Sequence, residues 1–175
     1  MNIFVTDPDP VTSAHVLPDK HIVKMPLETC QMLAIVCSDK WGHGYGQIHK
    51  SNGEPYKTDK GAFRNHPCTV WARESLGNWE WLIAHGNALG EEYTKRYGKV
   101  HKSHLVIKEC AKYLVPLIGE RTPFALAMDN KWKINNDPIK SYRNFYSNKV
   151  FQDGSIPTWK HTPTPQWFDT LRRTQ

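Results

Sequence analysis

The sequence predicts an all-α fold, and three observations lead to this prediction. Apolar residues recur at helical spacing through several long segments of the 175-residue chain. Aspartate and proline stand together where some of these segments begin, as they do at the first turn of a helix. Runs that alternate apolar and polar residues are few, so any strand pair would be small and near the N-terminus or in a Gly-rich loop.

One compact helical domain over residues 1–175 is the expected organisation. Hydrophobic residues make up 39% of the chain and aromatic residues 11%, which suffices for a buried core at this length. The tail over 155–175 is rich in proline and threonine, and we expect it to pack on the body as extended chain.

The first two helices are marked by pairs of aspartate and proline. Asp9-Pro10 suits an N-cap and a first turn and predicts a short helix over 10–17. Pro18-Asp19 begins a second helix that the apolar spacing extends to Ser38. Pro26 lies inside this helix and predicts a kink or a restart.

Residues 39–65 are predicted to form a long Gly-rich loop that carries its own aromatic and basic side chains. Loops of this length are uncommon and often functional. Beyond it, a helical pattern over 67–97 is expected to split near Ser75 and to end at Gly98. Further helical segments are predicted over 102–118, 124–128 (a single turn), 139–151 and 166–172.

The charge of the chain is compatible with a nucleic-acid partner. Lys and Arg number 23 against 17 Asp and Glu, a formal net charge of +6. No apolar run approaches the ~18 residues that span a bilayer, and the start of the chain lacks the pattern of a signal peptide. We therefore predict a cytoplasmic protein without a membrane partner.

The sequence supports neither a cofactor nor a metal. It contains no phosphate-binding loop and no dinucleotide fingerprint, so no nucleotide cofactor is expected. Cys30, Cys37, Cys68 and Cys110 lack metal-binding spacing and are predicted to be buried, reduced thiols. Five histidines could meet in space without zinc-site spacing, which leaves a metal-dependent hydrolase as an alternative; they are His43, His49, His66, His101 and His104.

The most informative stretch lies at the start of the second predicted helix. His21 and Glu28 are seven residues apart, about two helical turns, and therefore project from nearly the same face. A carboxyl group held against apolar surface can act as an acid or base near neutral pH, and a nearby histidine can orient it. A desolvated lysine such as Lys24 could supply an imine-forming amine. The alternative is a half-buried helix whose polar residues satisfy one another.

Three other segments favour nucleic-acid binding. Arg64-Asn65-His66-Pro67, with Trp71 and Arg73, places a histidine at a helix start, where anions bind. Segments 93–102 and 140–149 interleave basic and aromatic residues, which suits phosphates and bases respectively. A solvated helix surface would have the same composition. The predicted DNA contacts are Lys20, Lys24, Arg64, His66, Arg73, Lys95, Arg96, His101, Tyr142, Arg143 and Lys149.

Taken together, these motifs resemble the pyrimidine-dimer DNA glycosylase family, the endonuclease V type known from bacteriophage. Its members begin with a short apolar stretch and continue with Leu-x-Asp-Gln-His-Leu and a glutamate seven residues past the histidine. This chain reads Leu17-Pro18-Asp19-Lys20-His21-Ile22, with Glu28 at that offset. Further similarity lies in Asn65-His66-Pro67 with Trp71, in Arg96–His101, and in the aromatic, basic segment Tyr142–Lys149.

The resemblance implies a compact helical protein that binds duplex DNA and flips a nucleotide. The family's nucleophile is the α-amino group of the first residue, which attacks the sugar C1′ and forms an imine. A glutamate then assists sugar opening and strand cleavage by β-elimination. Carried onto this chain, the amine belongs to Met1 or Asn2, the glutamate is Glu28 and its neighbour is His21. Part of an α-amino population is neutral and nucleophilic at pH 7.

The leading interpretation is a monomeric DNA glycosylase with associated AP lyase activity, acting on a damaged or modified base in double-stranded DNA. The alternative is a non-catalytic nucleic-acid-binding or DNA-modification protein on the same fold. The chain differs from the family pattern at three places. Asn2 is bulkier than the residues that usually permit removal of Met, Leu27 replaces an arginine before the glutamate, and the 39–65 segment is longer.

Overall fold

The fold is all-α, as predicted, in a computed structural model that describes residues 1–38, 48–56 and 63–173. Within these residues there are seven α-helices and no β-strand beyond isolated bridges. The helices are α1 (Pro10–His15), α2 (Asp19–Val36), α3 (Pro67–Ala72), α4 (Leu76–Tyr97), α5 (Lys102–Cys110), α6 (Pro138–Ser147) and α7 (Gln166–Arg173). A short 3-10 helix over Asn130–Trp132 precedes α6.

The predicted starts of the first two helices are confirmed. The side chain of Asp9 accepts a hydrogen bond from the backbone N–H of Thr12, and Pro18 is the N-cap of α2. The predicted restart at Pro26 is wrong, because α2 continues through this residue. A proline removes only its own N–H bond, and the remaining hydrogen bonds and the burial of Pro26 keep the helix continuous.

The split near Ser75 and the end at Gly98 are confirmed. Ser75 caps α4 by accepting a hydrogen bond from the N–H of Asn78. Gly98 has a φ of 65°, the left-handed conformation that glycine adopts easily, and its N–H donates to the carbonyl of Thr94.

Two predicted helix ends and one predicted turn are wrong. The helix predicted over 102–118 ends at Cys110, with Ala111 as its C-cap. No turn forms over 124–128. The last predicted long helix ends at Ser147 rather than at 151.

Helices α2 and α4 form the centre of the molecule. Helix α4 packs against α1, α2 and α5, and α2 also contacts α3. Two glycines of α4 allow this close approach. A Cβ atom at Gly86 would lie 2.7 Å from the Thr29 side chain of α2, and one at Gly90 would lie 2.1 Å from the His104 ring of α5. These glycines therefore stand where neighbouring helices come closest.

The C-terminal part of the chain lies against the start of α2. Helix α6 packs against α7. The N–H of Asp19 donates to the carbonyl of Thr158 at 2.9 Å, and the Asp19 carboxylate accepts from the N–H of Lys160 at 2.7 Å. The Trp159 indole donates to the carbonyl of Val16 at 2.9 Å. These bonds hold residues 158–160 beside the segment that carries His21.

Most of the predicted Gly-rich loop, over 39–47 and 57–62, lies outside the described residues. The part over 48–56 contains one isolated antiparallel bridge between His49 and Pro55. None of the described helices combines the length and apolar character needed to cross a bilayer.

Candidate active site

The carboxyl group of Glu28 is the centre of the candidate site. Glu28 lies in the middle of α2 and is only 8% exposed. Its Oε2 accepts a hydrogen bond from the backbone N–H of Asn2 at 2.9 Å and lies 3.6 Å from the α-amino nitrogen of Met1. Its Oε1 lies 3.1 Å from the ammonium nitrogen of Lys24, one turn earlier. The carboxylate therefore stands between two amines.

Phe4 has a strained backbone conformation close to the start of the chain. Its φ is 44°, a conformation that costs about 1–2 kcal/mol for a residue with a side chain. Its ring packs against His21, Tyr142 and Tyr146, with centroids 4.4, 5.8 and 5.4 Å away. These aromatic contacts offset the backbone strain.

The side chain of Asn2 anchors the start of the chain. Its Oδ1 lies 2.6 Å from the hydroxyl of Tyr142 and accepts from the N–H of Ile3 at 2.8 Å. Its Nδ2 donates to the carbonyl of Ala127 at 2.9 Å. The Cys68 thiol is also beside it, with Sγ 3.9 Å from Oδ1, and burial raises the pKa of that thiol to about 12, so it stays protonated. Asn2 is thus held on all sides.

Met1 has a buried side chain and a partly exposed main chain. Its side chain is 1% exposed, whereas the residue as a whole is only partly buried. The Thr69 hydroxyl of α3 donates to its Sδ at 3.5 Å. The accessible part of Met1 is therefore the end that carries the α-amino group.

His66 lies near the same amine, as the N-cap of α3. Its Nδ1 accepts a hydrogen bond from the N–H of Cys68 at 3.2 Å, which leaves Nε2 to carry the proton of the neutral ring. Burial lowers the pKa of His66, the positive α-amino group lowers it further, and the Glu28 carboxylate raises it. The charges of the α-amino group and of Glu28 therefore act on His66 in opposite directions.

His21 contacts Tyr146 of α6. The His21 Nδ1 and the Tyr146 hydroxyl oxygen are 2.5 Å apart, and both residues are buried. Burial, together with the positive charges of Lys24 and Lys149, lowers the pKa of His21 to about 3. The ring is therefore neutral at physiological pH. Among the described residues its hydrogen-bond partner is Tyr146, rather than the Glu28 that the sequence suggested.

A cleft of about 620 Å³ opens beside His21, between α2 and residues 149–153. Its walls carry the side chains of Lys20, His21, Lys24, Lys149, Phe151 and Asp153. Lys24 belongs both to this cleft and to the Glu28 site. The cleft and the buried carboxylate are therefore adjacent.

A family model described as pyrimidine dimer DNA glycosylase matches residues 1–106 of the chain. This match covers more than half of the 175 residues and includes the chain start, α2 and His66. The chain belongs to this family. Family membership identifies it as a DNA glycosylase, with DNA as its substrate, and confirms the resemblance seen in the motifs. Comparisons with curated proteins and with solved structures gave no significant match.

The structure brings together only some of the residues predicted for this glycosylase. Met1, Asn2, Glu28 and Lys24 form one cluster, with His66 close to it. Lys20 lines the cleft, where its ammonium group is hydrogen-bonded to Asp153 and, at 2.7 Å, to the Ser155 hydroxyl. Lys149 lines the same cleft from the other side.

Two predicted DNA contacts are buried instead. The side chain of Arg96 is 0% exposed and pairs with Glu92 and Asp19 at 2.7 and 3.1 Å. Tyr142 is fully buried against Asn2. Both residues hold the fold together and offer no surface to DNA, because a basic, aromatic pattern looks the same whether it faces solvent or the core.

The remaining predicted contacts are distributed around the molecule. Arg73, directly after α3, donates to the carbonyl of Arg64, which lies before α3, at 2.5 Å. Lys95 is exposed. The His101 ring caps α5 and lies 3.1 Å from the carbonyl of Val23, and Arg143 donates to the carbonyl of Thr6 at 2.8 Å.

Three aromatic residues that shape the site were not predicted individually, although Tyr146 belongs to the aromatic, basic segment 140–149. Phe4, Tyr146 and Phe151 surround the His21 ring, and Phe151 meets it edge-on at 5.6 Å. Their place beside His21 is visible only in the folded structure, since Tyr146, for example, is 125 positions from His21 in the sequence. Within the described ranges, no three His, Cys, Asp or Glu side chains are grouped to hold a metal ion.

Proposed function

We propose that this glycosylase removes a damaged or modified base from double-stranded DNA and then cleaves the strand as an AP lyase, acting as a monomer. The nucleophile is the α-amino group of Met1, and Glu28 is the acid/base. The proposal is carried by one observation: the Met1 amine lies 3.6 Å from the buried Glu28 carboxylate. Family membership supports the glycosylase step.

The chemistry requires one nucleophile and one group that exchanges protons. The neutral amine attacks C1′, and the C1′–base bond breaks with its electron pair leaving on the base, which takes a proton from water. The amine, now positively charged, gives a proton to Glu28, and Glu28 passes it to O4′ as the C1′–O4′ bond breaks to give a protonated imine and a free Glu28 carboxylate. Glu28 accepts the C2′ proton, the released electrons expel the 3′ phosphate, and water hydrolyses the imine to restore the amine.

The amine is assigned to Met1 rather than to Asn2 because Met1 is the more exposed of the two. Asn2 is 8% exposed, and its nitrogen donates to Glu28. A nucleophile must reach the sugar, and the exposed part of this segment is the main chain of Met1. The Met1 side chain fixes the amine by filling a buried position beside Thr69.

Borohydride trapping tests this mechanism. Wild-type protein is mixed with duplex DNA bearing an abasic site or a damaged base, and borohydride reduces any imine to a stable amine. We expect a covalent adduct whose DNA-bearing peptide is the N-terminal one, with Met1 present by mass spectrometry. Glu28→Gln keeps a carbonyl that can accept from Asn2 but cannot take a proton, so strand cleavage falls by about 10²-fold or more.

Lys24→Met is the matched control, because Lys24 carries the other amine beside Glu28. A trapped peptide that contains residue 24, and an adduct lost in this variant, would transfer the nucleophile to Lys24. An absent adduct on every substrate, or undiminished cleavage by Glu28→Gln, would contradict the proposal.

A non-catalytic DNA-binding protein on the same fold is the second candidate. The cleft beside the site contains three lysines, which favours binding of an anionic chain. This candidate predicts salt-dependent binding of intact duplex with no base release, no adduct and no strand cleavage.

A further inference from the structure

Three lysines converge on the cleft between α2 and residues 149–153, and one carboxylate accompanies them. That carboxylate belongs to Asp153 and is already paired with Lys20. Lys24 and Lys149 stand on opposite walls, and Lys24 also contacts Glu28. The cleft therefore has an excess of positive charge next to the proposed reaction centre.

Phe151 holds two of these ammonium groups in place. The Nζ atoms of Lys20 and Lys149 lie 4.7 and 5.5 Å from the centroid of its ring, within the range of cation–π interactions. Because these ammonium groups contact the Phe151 ring, the ring is not free to stack on a nucleotide base.

His21 adds a neutral hydrogen-bond donor to the cleft. The Tyr146 hydroxyl is buried, and within the described ranges its hydrogen-bond partner is His21 Nδ1. If Nδ1 donated to it, the hydroxyl proton would be buried without an acceptor, which is costly. Tyr146 therefore donates to Nδ1, and the proton of the neutral ring is on Nε2.

Nε2 opens onto the cleft. His21 lines the cleft, and its Nε2 has no partner in the described part of the chain. It is also absent from the set of fully buried polar atoms that lack partners, which include both nitrogens of His85. The Nε2–H group therefore remains accessible from the cleft.

We propose that this cleft binds a phosphate of the DNA backbone beside the reacting sugar, with Lys24, Lys149 and the Nε2–H of His21 as its donors and Tyr146 as the positioning residue. This rests on the proposed function, because Glu28 defines the reacting sugar. A phosphate suits ammonium and N–H donors, whereas a base would need a free aromatic face. Tyr146, Lys149 and Phe151 all lie beyond residues 1–106, so the family match does not include them.

The first test measures binding of a duplex that carries a stable tetrahydrofuran abasic analogue, which cannot form an imine. Lys149→Met is compared with Lys112→Met, which removes the same charge from an exposed residue that does not line the cleft. We expect roughly tenfold weaker binding for Lys149→Met and a log–log salt slope smaller by about 1. Lys149→Arg should bind like wild type.

Neutral methylphosphonates placed one at a time around the abasic analogue locate the phosphate. At one position the substitution should weaken wild-type binding about tenfold and weaken Lys149→Met clearly less, because one of the three donors to that phosphate is already missing. Equal effects of Lys149→Met and Lys112→Met, or additive losses at every position, would overturn the proposal. Coupling without any borohydride adduct would keep the phosphate site and reject the imine mechanism.

NMR of ¹⁵N-labelled histidine tests the role of Tyr146 without any activity assay. Wild-type His21 should be the Nε2–H tautomer, and its Nε2 resonance should shift when the tetrahydrofuran duplex binds. In Tyr146→Phe, with its fold verified by the remaining histidine signals, the two tautomers should be mixed. An Nδ1–H tautomer in wild type, or no shift on binding, would remove His21 and Tyr146 from the site.

Discussion

The backbone N–H of Asn2 donates to Oε2 of Glu28 at 2.9 Å, which joins the start of the chain to the middle of α2. The bond orients the Glu28 carboxylate and also sets the position of the α-amino group of Met1, the residue before Asn2. Any change that loosens Asn2 should therefore disturb the amine and the acid together.

Tyr142→Phe tests this coupling from a distance. The lost hydroxyl lies 2.6 Å from Asn2 Oδ1 and 2.8 Å from the carbonyl of Ala125, all in a buried region. We expect the free energy of unfolding to fall by about 1–3 kcal/mol, because the hydroxyl donates its single proton to a buried acceptor that then loses this bond. Adduct formation with abasic DNA should also slow, since the Met1 amine is held less firmly.

Tyr93→Phe is the control for this prediction. Tyr93 is partly buried, and its hydroxyl forms no hydrogen bond with the described residues. It should keep wild-type stability and rate. If Tyr142→Phe behaved like Tyr93→Phe in both measurements, Asn2 would not depend on Tyr142.

Arg96→Met should destabilise the protein strongly. The Arg96 guanidinium is buried and bonded to Glu92, Asp19 and the carbonyls of Leu17 and His15. Its removal takes the buried guanidinium away from the Glu92 and Asp19 carboxylates, which costs about 3–5 kcal/mol. Urea unfolding measures the loss.

Lys95→Met is the control at the neighbouring position. Lys95 also pairs with Glu92, at 3.7 Å, but its side chain is 72% exposed. It should change the stability by less than about 1 kcal/mol. If Arg96→Met were as stable as Lys95→Met but weaker in DNA binding, Arg96 would be a DNA contact and not a structural ion pair.

Arg96 also shows where prediction from the sequence stops. The cap at Asp9, the break near Ser75, the helix end at Gly98 and the pairing of Glu28 with the N-terminus depend on local patterns or on the family motif, and these could be predicted. One partner of Arg96 is Asp19, 77 positions away, and one partner of Asn2 is Tyr142, 140 positions away. A segment that mixes basic and aromatic residues does not indicate which of those side chains are buried and which face solvent.

Gly90→Ala tests the contact between α4 and α5. Alanine favours helix by about 1 kcal/mol over glycine, but its Cβ would lie 2.1 Å from the His104 ring. Displacing that buried ring should cost more, about 1–3 kcal/mol, so the variant should be less stable. Thermal unfolding with matched buffers measures the difference.

The double variant Gly90→Ala/His104→Ala separates the two effects. With the ring removed, the added methyl group has room, so Gly90→Ala should no longer destabilise and should even stabilise this background. An equal loss in both backgrounds would show that the ring does not limit the approach of the helices.

Two buried histidines predict a strong loss of stability in acid. Burial lowers the pKa of His85 to about 3, and burial with nearby lysines lowers that of His21 to about 3, from 6.5 in both cases. Between about pH 6.5 and pH 3 the two histidines therefore bind protons in the unfolded chain but stay neutral in the folded protein. The contribution of the two neutral rings to the free energy of unfolding is fully present above pH 6.5 and is lost progressively as the pH falls toward 3. At pH 5 each histidine should lower the free energy of unfolding by about 2 kcal/mol relative to neutral pH.

His85→Phe isolates one of these contributions. The His85 ring stacks on Trp81 with centroids 4.8 Å apart, and neither of its nitrogens has a partner within the described residues. Phenylalanine keeps the stack and cannot be protonated, so near pH 7 the variant should be at least as stable as wild type. Between pH 7 and pH 5 it should lose about 2 kcal/mol less than wild type in urea unfolding. Parallel pH curves for the two proteins would mean that His85 is protonated in the folded state, and a polar path to solvent would then have to reach it past Trp81.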